Sequence, residues 1–176
     1  LVVDFDAHHG NGTQEAFYRE NGVLYFSTHQ HPYYPGTGDT WEVGEGEGEG
    51  YTINYPVAAG TPEARIVNAY QDVLAPAARR YRPELILVSA GYDAHWADPL
   101  TSLGMTVTGF GQISALLVAL AKELCKGRIV FTLEGGYNLE ALSYGVLATL
   151  QSMRGAETWE DPLGAGAGLD GGERWT

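Results

Sequence analysis

The run Leu85-Ile86-Leu87-Val88-Ser89-Ala90 is almost continuously apolar. A strand without a wet face belongs in the middle of a parallel sheet, with helices over both sides. It runs straight into Gly91-Tyr92-Asp93-Ala94-His95-Trp96-Ala97-Asp98-Pro99, a loop bearing acids and a histidine. The same pattern, a short apolar run that stops at glycines and polar groups, recurs along the chain. Leu1-Val2-Val3 leads into Asp4-Phe5-Asp6-Ala7-His8-His9-Gly10-Asn11-Gly12. Val23-Leu24-Tyr25-Phe26-Ser27 leads into a loop from His29 to Asp39, and Arg128 to Leu133 into Glu134-Gly135-Gly136-Tyr137-Asn138. Tyr51 to Tyr55 reads as one more strand, ended by Pro56.

Helical spacing fills the intervals. Thr13 to Arg19 predicts a short helix with Phe17 inward. A second helix starts with Thr61 as cap and Pro62 in its first position, and carries Ile66, Val67, Tyr70, Val73, Leu74 and Ala77 on one face. A third opens near Thr108 with Phe110, Ile113, Leu116, Leu117, Leu120 and Leu124 inward, and a last one spans Leu139 to Met153. Strands alternating with helices give an α/β fold, a three-layer α-β-α arrangement around a mostly parallel sheet. Ligands in such folds bind beyond the carboxyl ends of the strands. Gly44 to Gly50 alternates glycine with Glu45, Glu47 and Glu49 and reads as a flexible surface loop, since a phosphate-cradling loop would carry a lysine. Residues 155–176, rich in Gly and Ala without periodicity, read as a mobile tail after a domain of residues 1–154.

With 176 residues and 44% hydrophobic content the chain is long enough for one real core. No uninterrupted apolar stretch of about 18 residues suggests a membrane span. A formal charge of −12 opposes nucleic-acid binding and favours cationic ligands where its field reaches the site, or serves solubility alone, and acidity does not choose between the two. The lone Cys125, set in a helical pattern, reads as a buried hydrophobe in a reducing, cytoplasmic protein.

Side chains alternate along an extended segment, so Asp4, Asp6 and His8 share one side and Phe5 and Ala7 the other. Two carboxylates and an imidazole there are costly to bury without a cation. A divalent metal suits them, and a solvated, hydrogen-bonded loop is the plainer account. The sheet topology brings this cluster to the same edge as Asp93/His95/Asp98 and Gly135/Gly136/Tyr137, which favours the metal. His29 and His31 read as hydrogen-bonding loop residues rather than ligands.

Taken together, the motifs Asp4 to Gln14, Ser89-Ala90-Gly91-Tyr92-Asp93-Ala94-His95, Tyr34-Pro35-Gly36-Thr37-Gly38 and Glu134-Gly135-Gly136-Tyr137-Asn138-Leu139 resemble the histone deacetylase superfamily. The resemblance is in particular to its bacterial branch, of acetoin-utilisation and acetylpolyamine-amidohydrolase type. The likeness runs from Leu1 to about Met153 and implies an arginase/deacetylase-like fold. It implies one zinc ion per chain on Asp6, His8 and Asp93, and Tyr137 as the hydroxyl that stabilises the oxyanion. It also implies a structural monovalent cation, usually potassium, at Asp4, Ser27 and the backbone of Asp6 and His8. Tyr34 and Leu100 would line an acyl-lysine tunnel, and Gly136 would let the backbone pass close to substrate. The implied activity is hydrolysis of acetylated or otherwise acylated lysine or polyamine-type amines. In the family a pair of histidines that moves protons, and the first strands of the sheet, lie ahead of the metal motif. The chain is therefore read as the C-terminal part of such a domain, nearly inactive alone. Two alternatives remain: a metal-binding protein without catalysis, and an arginase-like ureohydrolase. The second needs an acid two residues after His8, where this sequence has Gly10.

Overall fold

The computed structural model describes residues 1–166. Five strands, β1 (Val2–Asp4), β2 (Tyr25–Gln30), β3 (Thr52–Val57), β4 (Ile86–Ala90) and β5 (Ile129–Leu133), form one all-parallel sheet in the order β3-β2-β1-β4-β5. The helices are α1 (Asn11–Phe17), α2 (Glu63–Ala69), α3 (Ala75–Tyr81), α4 (Val107–Cys125) and α5 (Leu139–Met153). A π turn, Tyr70–Leu74, joins α2 to α3, so the amphipathic pattern read as one helix is one helical stretch with a bulge.

Register explains how the sheet sorts its side chains. Ile53, Phe26, Val3, Val88 and Phe131 stand in one row across the five strands. They belong to, or pack against, a core that includes Ile66, Tyr70, Leu74, Phe110, Ile113 and Leu117 from α2, the π turn and α4. One residue further along, Asn54, Ser27, Asp4, Ser89 and Thr132 make a polar row on the opposite face. α1 and the 31–50 segment lie on that face over β2 and β3: Gln14 of α1 and the Glu42 carbonyl both accept from Asn54 Nδ2.

Several expectations change here. β4 is not covered on both sides, because Leu87 is 40% exposed and its neighbour Val130 is 49% exposed. β5, expected to be buried, is mostly half-buried or exposed. β2 runs on through His29 to Gln30, so His29 is a fully buried strand residue and not part of the loop. Pro56 lies inside β3, which tolerates it as an edge strand. Pro62 is the cap residue of α2 and Thr61 makes no cap. Gln14, not Phe17, is the buried residue of α1.

The Gly44–Gly50 segment is a fixed turn. Glu45 N–H donates to Tyr18 O at 2.8 Å, and Gly48 is buried against the same stretch. The described part of the expected tail is also fastened. Trp159 lies on Gly111 and donates to Ser152 Oγ (3.0 Å), and Asp161 accepts from the first turn of α4 at Thr108. Residues 167–176 of that tail lie outside the described residues. By length and composition alone α4 could cross a membrane, but 56% of it is buried inside the fold.

Candidate metal centre

The strand order reverses between β1 and β4, and the two loops that leave these strands supply the site. Asp6 and His8 follow β1, and Asp93 follows β4. One donor atom from each lies within 4.8 Å of the others. His8 Nδ1 is 3.0 Å from Asp6 Oδ1 and 3.1 Å from Asp93 Oδ2. The alternation read from the sequence accounts for this, since Phe5 and Ala7 point into the core.

The carboxylates are held from behind. Asp93 Oδ1 accepts from Ala7 N–H at 2.8 Å, and Asp6 Oδ2 accepts from Gly135 N–H at 2.9 Å. A Cβ on Gly91 would collide with Asp6, and one on Gly135 with both Asp6 and Asp93. Gly135 therefore serves the cluster through its N–H and its lack of a side chain, which residue type alone does not announce. Gly136, assigned to the backbone's passage beside substrate, has φ +130 and leaves Leu142 and Tyr92 room.

The electrostatics call for positive charge. The hydrogen bond to Asp93 is the main reason His8 is raised to about 9, against desolvation. Burial first, and then Asp93, pushes Asp6 up to about 6. Asp4, one level deeper, is pushed up to about 8 by burial first and then by Asp6.

Ser27 shares Asp4's register on β2. His29 Nε2 donates to Gly38 O (2.9 Å), so its Nδ1 accepts from Ser27 Oγ at 2.8 Å. His29 is thus a support for Ser27. His9 is tied to Thr37 and Gln14 and packs on His29 with centroids 4.7 Å apart. Gly38, at φ +91, fits between these two rings where any side chain would clash. His31 sits 3.8 Å from Asp39, away from the triad's hydrogen bonds. His95 is buried, and its Nδ1 accepts from Ala97 N–H.

Around the mouth, Tyr137 is 52% exposed. Its phenol is raised by slight desolvation first and then by the charge of the Asp93, Asp6 and Asp98 carboxylates. Tyr34 and Leu100 are exposed, with Tyr34 6.3 Å from the His8 ring. Tyr33, one of the aromatics of the same loop, is closer, at 5.6 Å, and its hydroxyl donates to Leu100 O.

A parallel sheet of this order with an Asp-His-Asp cluster at its reversal point defines the arginase/deacetylase class of fold. Residues 1–153 match the Histone deacetylase domain family. Among curated proteins, "Histone deacetylase 10, chloroplastic" of Oryza sativa subsp. japonica is 48% identical over 92% of this chain and 38% of its own length. The "Probable deacetylase" of Archaeoglobus fulgidus is 45% identical over 88% of the chain and 43% of its own. Among solved structures, the HDA15 HD domain superposes with a TM-score of 0.83 at 39% identity, covering 91% of this chain and 46% of that one. The histone deacetylase Clr3 gives 0.85 at 38% identity, covering 92% and 28%. The chain belongs to the histone deacetylase family, and it spans about two-fifths of the length of the curated relatives it matches.

Proposed function

We propose that this chain carries the metal-binding and oxyanion-stabilising part of a zinc-dependent amidohydrolase that removes acetyl or related acyl groups from lysine or polyamine-type amines. The observation that carries the reading is the convergence of Asp6, His8 and Asp93, with Tyr137 two residues after Gly135, whose N–H donates to Asp6. The donor set fits the ion. Ligands on a tetrahedral zinc lie roughly 3.3 Å apart, given bonds of about 2.0–2.1 Å, and the separations of 3.0 and 3.1 Å are near that spacing. Three protein donors leave one position open, as catalysis requires. Asp4 and Ser27 suit a monovalent cation such as potassium beneath the cluster. When bound, zinc polarises the amide carbonyl and lowers the pKa of a water to about 7.

The chain's own residues do the rest. Tyr137 donates its O–H to the amide oxygen as that oxygen gains charge. Tyr33, Tyr34 and Leu100 form an apolar rim along which the alkyl part of an acylated amine lies. Gly10 argues against the ureohydrolase alternative, because a side chain there would run into Asp4 Oδ2 and the Tyr25 hydroxyl. Hydrolysis also needs groups that take a proton from water and return one to the leaving amine. His8 belongs to the cluster, and His9, His29 and His95 are engaged inside the fold. By itself the chain is expected to turn over very slowly. The net charge of −12 favours cationic amines as substrates, and the free, buried Cys125 suits a reducing compartment such as the cytoplasm.

Tyr137→Phe in the full-length protein tests the reading. The expected result is a loss in kcat of about 100-fold, typical for an oxyanion donor, with zinc content unchanged. Undiminished hydrolysis overturns the role of Tyr137. A zinc-loaded full-length protein without any hydrolysis would favour the non-catalytic alternative.

A further inference from the structure

Building on that reading, one more acid is wired to the chemistry without facing the ion. Asp98 is 7% exposed and closes the loop that begins with Asp93. Its Oδ2 accepts from Tyr137 N–H at 2.8 Å and from Asn138 N–H at 3.3 Å. Its Oδ1 accepts from Leu100 N–H at 2.9 Å. A second strand of contacts runs beside it: Asn138 Nδ2 donates to Ala97 O (3.0 Å), while Asn138 Oδ1 caps α5 at Glu140 and Ala141.

Two residues with roles in the proposed reaction, the oxyanion donor and a rim residue, thus hang on the two oxygens of one carboxylate. Tyr137 needs such a hold. It follows Gly136 at φ +130, a backbone conformation that side-chain-bearing residues rarely adopt, and Tyr137 itself is 52% exposed. On the other side the same segment is tied down at Gly135, which donates to Asp6 and accepts from Tyr92 N–H at 2.9 Å. Residues 135–138 are therefore stretched between the metal cluster and Asp98. An ionised carboxylate is the suitable clasp, because it is acceptor-only and can meet backbone N–H groups on both oxygens.

We propose that Asp98 is a positioning residue that sets where the Tyr137 hydroxyl stands over the Asp6/His8/Asp93 cluster, and couples that placement to Leu100 at the rim. The geometry makes Asp98 act through Tyr137 and not on the metal.

Two measurements test this. Amide hydrogen exchange on this chain reads the clasp without any turnover. In Asp98→Ala the Tyr137, Asn138 and Leu100 amides should exchange at least tenfold faster, while core amides of β1 and β4 and the zinc stoichiometry stay as in the parent chain. Asp98→Asn is the milder variant, since an amide side chain can accept on one side only, and it should release one of the two attachments. Unchanged exchange at all three amides in both variants overturns the clasp. The second measurement is a double-mutant comparison in the full-length protein. Asp98→Ala should lower kcat by about tenfold or more with little change in KM, and should lower it no further once Tyr137→Phe is present. An equal loss in the Tyr137→Phe background means that Asp98 acts elsewhere and sinks the positioning role. Failure of the Tyr137 reading shows separately, as undiminished hydrolysis by Tyr137→Phe alone.

Discussion

His8 can ligate a metal only through a bare nitrogen, yet in the cluster its imidazole is held protonated up to about 9, chiefly by the hydrogen bond to Asp93. At pH 7 an incoming ion must therefore displace a proton. Affinity should fall as pH drops below about 9, roughly tenfold per unit. Calorimetry at pH 7 in buffers of different ionisation enthalpy should read about one proton released per zinc. Binding without proton release would show that His8 is not the ligand. The same scale shows what residue types conceal. Asp6 and His8 were legible as a pair because an extended segment sends alternate side chains to one side, while their grouping with Asp93 as ligands came from the family resemblance. The contacts that Gly135, Asp98 and Tyr33 make were not, although Gly135 and Asp98 were placed at this edge of the sheet. Gly135 and Asp98 act through backbone N–H groups and absent volume, and Tyr33 through its hydroxyl on a distant carbonyl. Such pairings are made by the fold and leave no periodic trace in the sequence.

Among the elements, the connection from β2 to β3 is the one that most needs explanation, because it has almost no regular structure of its own. One carboxylate holds it. Glu42 Oε1 accepts from Gly38 N–H (2.9 Å) and Asp39 N–H (3.0 Å), while Oε2 accepts from Gln14 Nε2 (2.5 Å). Glu42→Ala should cost about 1–3 kcal/mol through the unsatisfied donors it leaves. It should also speed proteolytic cutting between Tyr33 and Trp41, with zinc stoichiometry unchanged. Equal stability and equal cutting would mean the loop is held by its prolines and glycines alone. Elements with strong local signals were readable from sequence. α5 spans the expected Leu139–Met153, and its cap, Asn138, is visible in the structure as a side chain accepting from two N–H groups. Boundaries set by tertiary contact were not. β2 extends to Gln30 because β3 pairs with it as far as Val57, which draws His29 into the sheet. The periodicity of 66–77 gave no sign of the π turn, since a bulge shifts the register without changing which residues are apolar.

For the whole molecule, the sheet has a polar face that is covered over β2 and β3 and open over β4 and β5. Leu87 and Val130 stand there half in water, and Leu133 and Leu150 are exposed along the β5 edge and on α5. A row of this kind beside an unpaired edge strand favours association. The curated relatives it matches are more than twice as long. This chain alone should self-associate as its concentration rises, and Leu87→Glu with Val130→Glu should shift it toward monomer by light scattering. A monomeric parent chain at all concentrations would contradict that account of the face. The claim on which everything above depends is narrower: Asp6, His8 and Asp93 already converge on one ion within these residues. The direct measurement is zinc stoichiometry of the folded chain, with Asp93→Ala beside it. One equivalent in the parent chain and none in the variant is the predicted result. A chain that is folded by circular dichroism and binds no zinc, or an Asp93→Ala variant that still holds one equivalent, would contradict it.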